Sequence, residues 1–113
     1  MQITERRVGP VTVLDLEGRL TFNDSAGRLK DKVVSLVFQG EKQIVLNLAG
    51  LSYVDSAGLG EIVACYTHAS KEHASVRLAN TTDRIQDLLV MTKLLTVFDA
   101  YDSEEEAVKS FQT

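Results

Sequence analysis

The sequence predicts a single α/β domain over residues 1–113, with a mixed, mostly parallel sheet, an antiparallel edge strand and about four helices. Three observations predict it. Two strand-like runs at the start are separated by Gly9-Pro10, a pair that signals a turn. Beyond them, short apolar runs alternate with stretches whose apolar residues recur at helical spacing, and such alternation favours right-handed crossovers and parallel pairing. No repeat or low-complexity linker divides the 113 residues, a length that suits one core.

The elements follow in order. Val11-Thr12-Val13-Leu14-Asp15-Leu16-Glu17 alternates apolar and polar residues, so this strand buries one face. It forms a hairpin with the run before it, which lies at the sheet edge. Asn23 and Asp24 are N-cap candidates for a first helix, followed by Ala26, Leu29, Val33 and Leu36/Val37 at helical spacing and closed by Gly40. Ile44-Val45-Leu46-Asn47-Leu48 is nearly continuous in apolar residues, as an inner strand covered on both faces is. Tyr53 to Gly60 leads into a second helix with a stripe of Leu59, Ile62, Val63 and Tyr66. Ser75–Ala79 reads as a strand, and Asp83 with Gln86 has capping-box spacing before a third helix holding Ile85, Leu88 and Leu89. Thr96–Tyr101 reads as the last strand. Ser103 with Glu106 is a capping box for a C-terminal helix, and Glu104-Glu105-Glu106 is a solvated helix start favoured by the dipole. The order is β-β-α-β-α-β-α-β-α.

Composition narrows the function. With 44% hydrophobic and 25% charged residues the chain has enough apolar surface for a core, which argues against disorder. Its 12 basic residues are scattered against 16 acidic ones, for a net charge of -4. No basic stripe exists to track nucleic acid phosphates. No apolar run approaches the ~20 residues of a membrane span, and the first seven residues, Met1 to Arg7, contain no apolar signal core. One cysteine excludes an internal disulfide. A cytoplasmic protein without membrane insertion is expected.

The stretch with most chemistry is Asp55-Ser56-Ala57-Gly58-Leu59-Gly60, at the carboxyl end of an apolar strand unit where a helix opens. Sites in open α/β sheets are built there. The first helical turn leaves N–H groups unsatisfied, and the macrodipole adds partial positive charge. A phosphate on Ser56 could be received by those groups and would add about -1.5 to -2 charges beside Asp55. The small side chains of Ala57, Gly58 and Gly60 permit close approach by another chain or a nucleotide. Local chemistry alone leaves a second reading open, in which Asp55 or Ser56 only caps the helix.

Val45-Leu46-Asn47-Leu48, followed by Leu51-Ser52-Tyr53-Val54-Asp55-Ser56-Ala57-Gly58-Leu59-Gly60, resembles the central signature of STAS domains, found in sulphate transporters and anti-sigma factor antagonists. Gly18-Arg19-Leu20 resembles the family's loop after the second strand, and Leu88-Leu89 through Thr92-Lys93-Leu94 its third-helix region. The resemblance covers nearly the whole chain. The chain's length leaves no room for a transporter and points to the free-standing antagonists. It implies that Ser56 is the phosphoacceptor of a partner anti-sigma factor acting as a serine kinase. The unphosphorylated antagonist would bind that partner and release a sigma factor, phosphorylation would switch it off, and a phosphatase acting on the phosphorylated form would restore it. Asp55, Ala57, Gly58, Leu59 and Gly60 would form the docking edge, joined by Thr21, Asn23 and Asp24 before the first helix. No catalysis and no cofactor is implied.

Three positions depart from the family pattern. Ala57 replaces a second hydroxyl residue, so Ser56 is the only hydroxyl between Asp55 and Gly60. Thr21 stands where antagonists often carry an acidic residue facing the kinase, with Asp24 as a substitute. Lys93 stands where many relatives have glycine after the third helix. Thr21 favours the alternative reading, an unphosphorylated STAS scaffold or adaptor in a signalling or transport complex.

Other residues invite chemistry without completing it. Cys65 and His68 can share a helix face, but His73 falls past the helix end and a fourth zinc ligand is missing. Cys65 reads as a small buried hydrophobe. A hydrolase built on Ser56 lacks the G-x-S-x-G elbow and a base placed by sequence. Gly58-Leu59-Gly60 lacks the lysine of a P-loop. Tyr53, Tyr66 and Tyr101 read as residues at the edge of the core.

Overall fold

The computed structural model describes residues 1–91 and 98–112. Its five strands are β1 (Gln2–Val8), β2 (Val11–Leu20), β3 (Gln43–Val54), β4 (Ser75–Ala79) and β5 (Ala100–Tyr101), and their order in the sheet is their order in the chain. β1 pairs antiparallel with β2, turning at Gly9-Pro10, and the other three pairings are parallel. The helices are α1 (Phe22–Ser25), α2 (Arg28–Phe38), α3 (Ser56–Lys71), α4 (Asp83–Met91) and α5 (Glu104–Lys109), the last continued by a 3₁₀ turn at Ser110–Gln112.

A sheet that grows in one direction through right-handed crossovers carries its crossover helices on one face. That face holds the main core. Leu14, Leu16, Ile44, Leu46, Val76 and Leu78 point from the strands into it. Leu29 and Val33 of α2, Leu59 and Ile62 of α3, and Ile85 and Leu89 of α4 meet them. The alternate strand residues Val13, Val45 and Ala79 face the other way and are covered by Ala107 and Val108 of α5. The apolar run Ile44–Leu48 therefore lies between two covered faces, as expected of an inner strand.

Local chemistry places the ends. α5 starts where its capping pair predicts, with Ser103 Oγ accepting from Glu106 N at 3.1 Å. α2 closes at Gly40, whose N–H donates to Val37 O while Glu41 N donates to Leu36 O, the paired bonds of a Schellman motif.

Four expectations need correction. The predicted first helix is two helices, because Ala26 and Gly27 are both left-handed (φ 48° and 81°). A left-handed pair cannot propagate a right-handed helix, so the chain turns and restarts at Arg28. The cap of α1 is Thr21, not Asn23 or Asp24: its Oγ1 accepts from Asp24 N at 3.1 Å. Likewise α4 begins at Asp83, and its capping hydroxyl is that of Thr82, which accepts from Ile85 N at 3.3 Å. Among the described residues the last strand pairs at Ala100–Tyr101; Phe98 is buried in the main core and contacts Tyr66 edge-on at a ring separation of 5.3 Å. Thr96 and Val97 of that expected strand, and the Thr92-Lys93-Leu94 segment, lie outside the described residues.

Candidate functional site

β2 and β3 end side by side, with Leu20 opposite Val54. Thr21 and Asp55 therefore leave the sheet as neighbours, and Asp55 N donates to Leu20 O at 3.2 Å. Asp55 is extended and caps α3, its Oδ1 accepting from Gly58 N at 2.6 Å. Its second oxygen accepts from Phe22 N at 3.2 Å. One carboxylate thus serves the first turns of two helices, where N–H groups have no intrahelical partner.

Ser56 is the first residue of α3, and its side chain is exposed. Ala57 and Gly60 are exposed with it, whereas Gly58 and Leu59 turn inward. Gly58 sits against the end of β2, where an added Cβ would lie 2.0 Å from Leu20 O. No side chain fits in that gap, so glycine is what lets α3 start this close to the sheet. Gly60 faces open space.

The loop after β2 forms the opposite wall. Thr21 is buried, and its hydroxyl donates to Asp24 Oδ2 at 2.7 Å. Arg19 approaches the same carboxylate oxygen at 3.6 Å and lies over the Tyr53 ring at 5.1 Å. Asn23 and Asp24 are exposed. Phe22, 73% exposed, stands with Asn23, Ala57 and Glu61 around an open pocket of about 350 Å³.

Glu61 is the residue that sequence reasoning missed. From α3 it accepts from the Ser25 hydroxyl at 2.6 Å and from Lys30 N at 2.9 Å. Gly27, at the start of α2, has no side chain to cap that helix, and the Glu61 carboxylate takes over the task from another helix. A signal was available: Glu61 is the only charged residue between Asp55 and Lys71 if histidine is counted neutral.

The remaining candidates stay apart. Cys65 is fully buried in the main core, and burial pushes its thiol up to about 12. His68 is half-buried on α3, and His73 lies beyond the helix at φ 59°. Among the described residues no three His, Cys, Asp or Glu side chains converge as a metal site. Tyr53, Tyr66 and Tyr101 are half-buried. Among the described residues no helix is long and apolar enough to cross a membrane.

A family model for the STAS domain matches residues 2–107. The chain belongs to the STAS family. Among its relatives, the anti-sigma-B factor antagonist of Bacillus subtilis strain 168 is 33% identical over 85 residues, which is 75% of this chain and 77% of the relative. Solved STAS structures share the fold. An anti-sigma factor antagonist from Mycobacterium paratuberculosis superimposes with a TM-score of 0.87, at 18% identity, over 99% of this chain and 94% of that one. The Bacillus cell fate determinant SpoIIAA in its phosphorylated form gives 0.75 at 21% identity, over 97% and 99% of the two chains. In this STAS domain the exposed Ser56 opens α3 at the strand ends, next to the Asp55 carboxylate that holds Phe22 N and Gly58 N.

Proposed function

We propose that this STAS protein is a cytoplasmic anti-sigma factor antagonist whose partner-binding edge is switched by phosphorylation of Ser56. The observation that carries the reading is the placement of Ser56: exposed, first in α3, with the neighbouring Asp55 carboxylate already engaged by Gly58 N and Phe22 N. Asp55 is thereby held in place while the Ser56 hydroxyl stays accessible to a kinase. The relatedness to an anti-sigma-B factor antagonist supports the same reading.

The switch follows from charge and space. Unphosphorylated, the edge offers Ser56, Ala57 and Gly60 beside the pocket at Phe22 and Asn23, and a partner backbone can approach small side chains closely. Phosphorylation adds about -1.5 to -2 charges. It does so next to Asp55, so like charges gather on the surface the partner must cover. The partner, an anti-sigma factor serine kinase, is released and free to hold its sigma factor; a phosphatase reverses the state. The chain itself acts as substrate and ligand, not as an enzyme.

The test is phosphate transfer followed by binding. Incubation with the cognate anti-sigma factor and ATP should add one phosphate, absent in Ser56→Ala. Ser56→Asp should weaken binding to that partner by tenfold or more. Unchanged labelling of Ser56→Ala sinks the site. Tight partner binding that ignores Ser56→Asp supports the scaffold reading instead.

A further inference from the structure

The chain has a second surface feature, on the outer side of α2 and α3, which starts one helical turn past Ser56 at Gly60. The two helices each follow a parallel strand and pack side by side, leaving a groove along their outer line of contact. Lys30, Val34 and Phe38 recur every four residues on the α2 side, and Gly60, Ala64, Thr67 and Lys71 recur at three or four on the α3 side. That is the spacing of one helical face. Two open pockets of about 300 and 250 Å³ lie along it and share His68 as a common wall. Small residues keep the α3 side low, and Phe38 stands at one end with 92% of its surface exposed.

The charge of this groove is unusual for the molecule. Arg6, Arg7, Arg19, Lys32, Arg77 and Lys109 all have carboxylate partners. Arg28 and Lys42 donate to backbone carbonyls. Among the described lysine and arginine side chains, only Lys30 and Lys71 have no ionic or hydrogen-bonding partner, and both line the same pocket. Glu72 is the one acidic residue on the groove, at the Phe38 end. An acidic protein of net charge -4 thus keeps its two uncommitted cations on one apolar-floored track.

We propose that this groove docks an acidic amphipathic helix of a protein partner. A helix of about 10 Å diameter seats between two others by laying its apolar side chains into their groove. Here its apolar face covers Val34, Phe38 and Ala64, and its carboxylates, about two to three turns apart, reach Lys30 and Lys71. Charge complementarity selects this partner over a basic one. The groove meets the Ser56 edge at Gly60 and runs from there along α3 to Lys71.

The probe is a designed peptide of about 18 residues, long enough to hold a helix, with a Leu/Phe stripe flanked by glutamates. A control peptide carries lysine at every glutamate. Amide chemical shifts of the whole protein are followed during titration. Shifts gathered at Val34, Phe38, Ala64 and His68 are expected, with affinity falling about tenfold in Lys30→Glu/Lys71→Glu and again in Phe38→Ser. The control peptide should not bind, and because unphosphorylated protein is used throughout, the outcome does not depend on the phosphorylation reading. All three substituted side chains are on the surface, and the spectra report directly that each variant is folded. Shifts elsewhere, equal binding of the lysine peptide, or affinity indifferent to charge reversal overturns the proposal. So does a concentration-dependent dimer that Phe38→Ser dissolves, or capture by phosphatidylglycerol vesicles through Lys30 and Lys71, since each assigns the groove to another occupant.

Discussion

Asp55 Oδ2 accepts the backbone N–H of Phe22 at 3.2 Å, across 33 positions of sequence. With its other oxygen on Gly58 N, Asp55 ties the first turn of α1 to the first turn of α3. Asp55→Ala removes both bonds and leaves two helix starts without an acceptor. A lost cap costs about 1 kcal/mol and up to 2, so a fall of about 2 kcal/mol in unfolding free energy is expected from denaturant titration. Asp55→Asn keeps one carbonyl oxygen and should lose less than Asp55→Ala.

Gly58 and Gly60 lie two residues apart in one helix and should respond in opposite directions. Gly58→Ala drives a methyl onto Leu20 O, with a nominal separation of 2.0 Å. The obstacle is backbone, so α3 must shift away from the sheet, at an expected cost of about 3 kcal/mol or outright failure to fold. Gly60→Ala meets nothing and should stabilise the chain by about 0.5–1 kcal/mol, because alanine loses less backbone freedom in a helix. Denaturation midpoints of the pair decide; equal midpoints would contradict the packing.

Glu61→Ala strips Lys30 N and the buried Ser25 hydroxyl of their acceptor. Ser25 is fully buried, and a buried donor left unpaired costs about 1–3 kcal/mol. Hydrogen exchange should show the amides at the start of α2 opening faster, while β3 and β4 keep their protection. Uniformly faster exchange would place the role of Glu61 elsewhere.

Stability should depend on acid through Asp15. Hydrogen bonds from the Arg6 guanidinium hold its carboxyl below the usual carboxylate range, reinforced by Asn47. A carboxyl lowered by folding contributes stability above its unfolded value near 3.9 and loses it as pH falls through the folded value. Melting temperatures taken from pH 6 downward should therefore fall less steeply in Asp15→Asn than in the parent below about pH 4. Parallel curves would show that the Arg6 pair contributes nothing measurable, as holds for many surface pairs.

The Cys65 thiol, buried and pushed up to about 12, is neutral at ordinary pH and out of reach. Since the thiolate is the reactive form, labelling by a disulfide reagent at pH 8 should wait for unfolding and accelerate with denaturant along the unfolding curve. Rapid labelling of native protein would mean that α3 opens locally.

What the sequence determined by itself is the order of elements and the place where the site forms. Val11–Glu17, read as burying one face, buries both, with Leu14 and Leu16 in the main core and Val11 and Val13 on the opposite face. Ile44–Leu48 carries its continuous burial locally, and Ser103-Glu106 its cap. Each is a short-range pattern that needs no partner to be read. The Asp55–Gly60 string marked the strand-to-helix turn for the same reason. Tertiary structure alone decided how that turn is braced. Thr21, not Asn23 or Asp24, caps α1, because two left-handed residues at 26 and 27 cut the helical pattern that the apolar spacing suggested. The inward direction of Gly58 depends on Leu20 O, 38 positions earlier. The work of Glu61 depends on Ser25 and Lys30 of another helix. Propensity and periodicity act over a few residues, whereas a carboxylate finds its donors only after β2 and β3 have aligned and brought distant chain ends together.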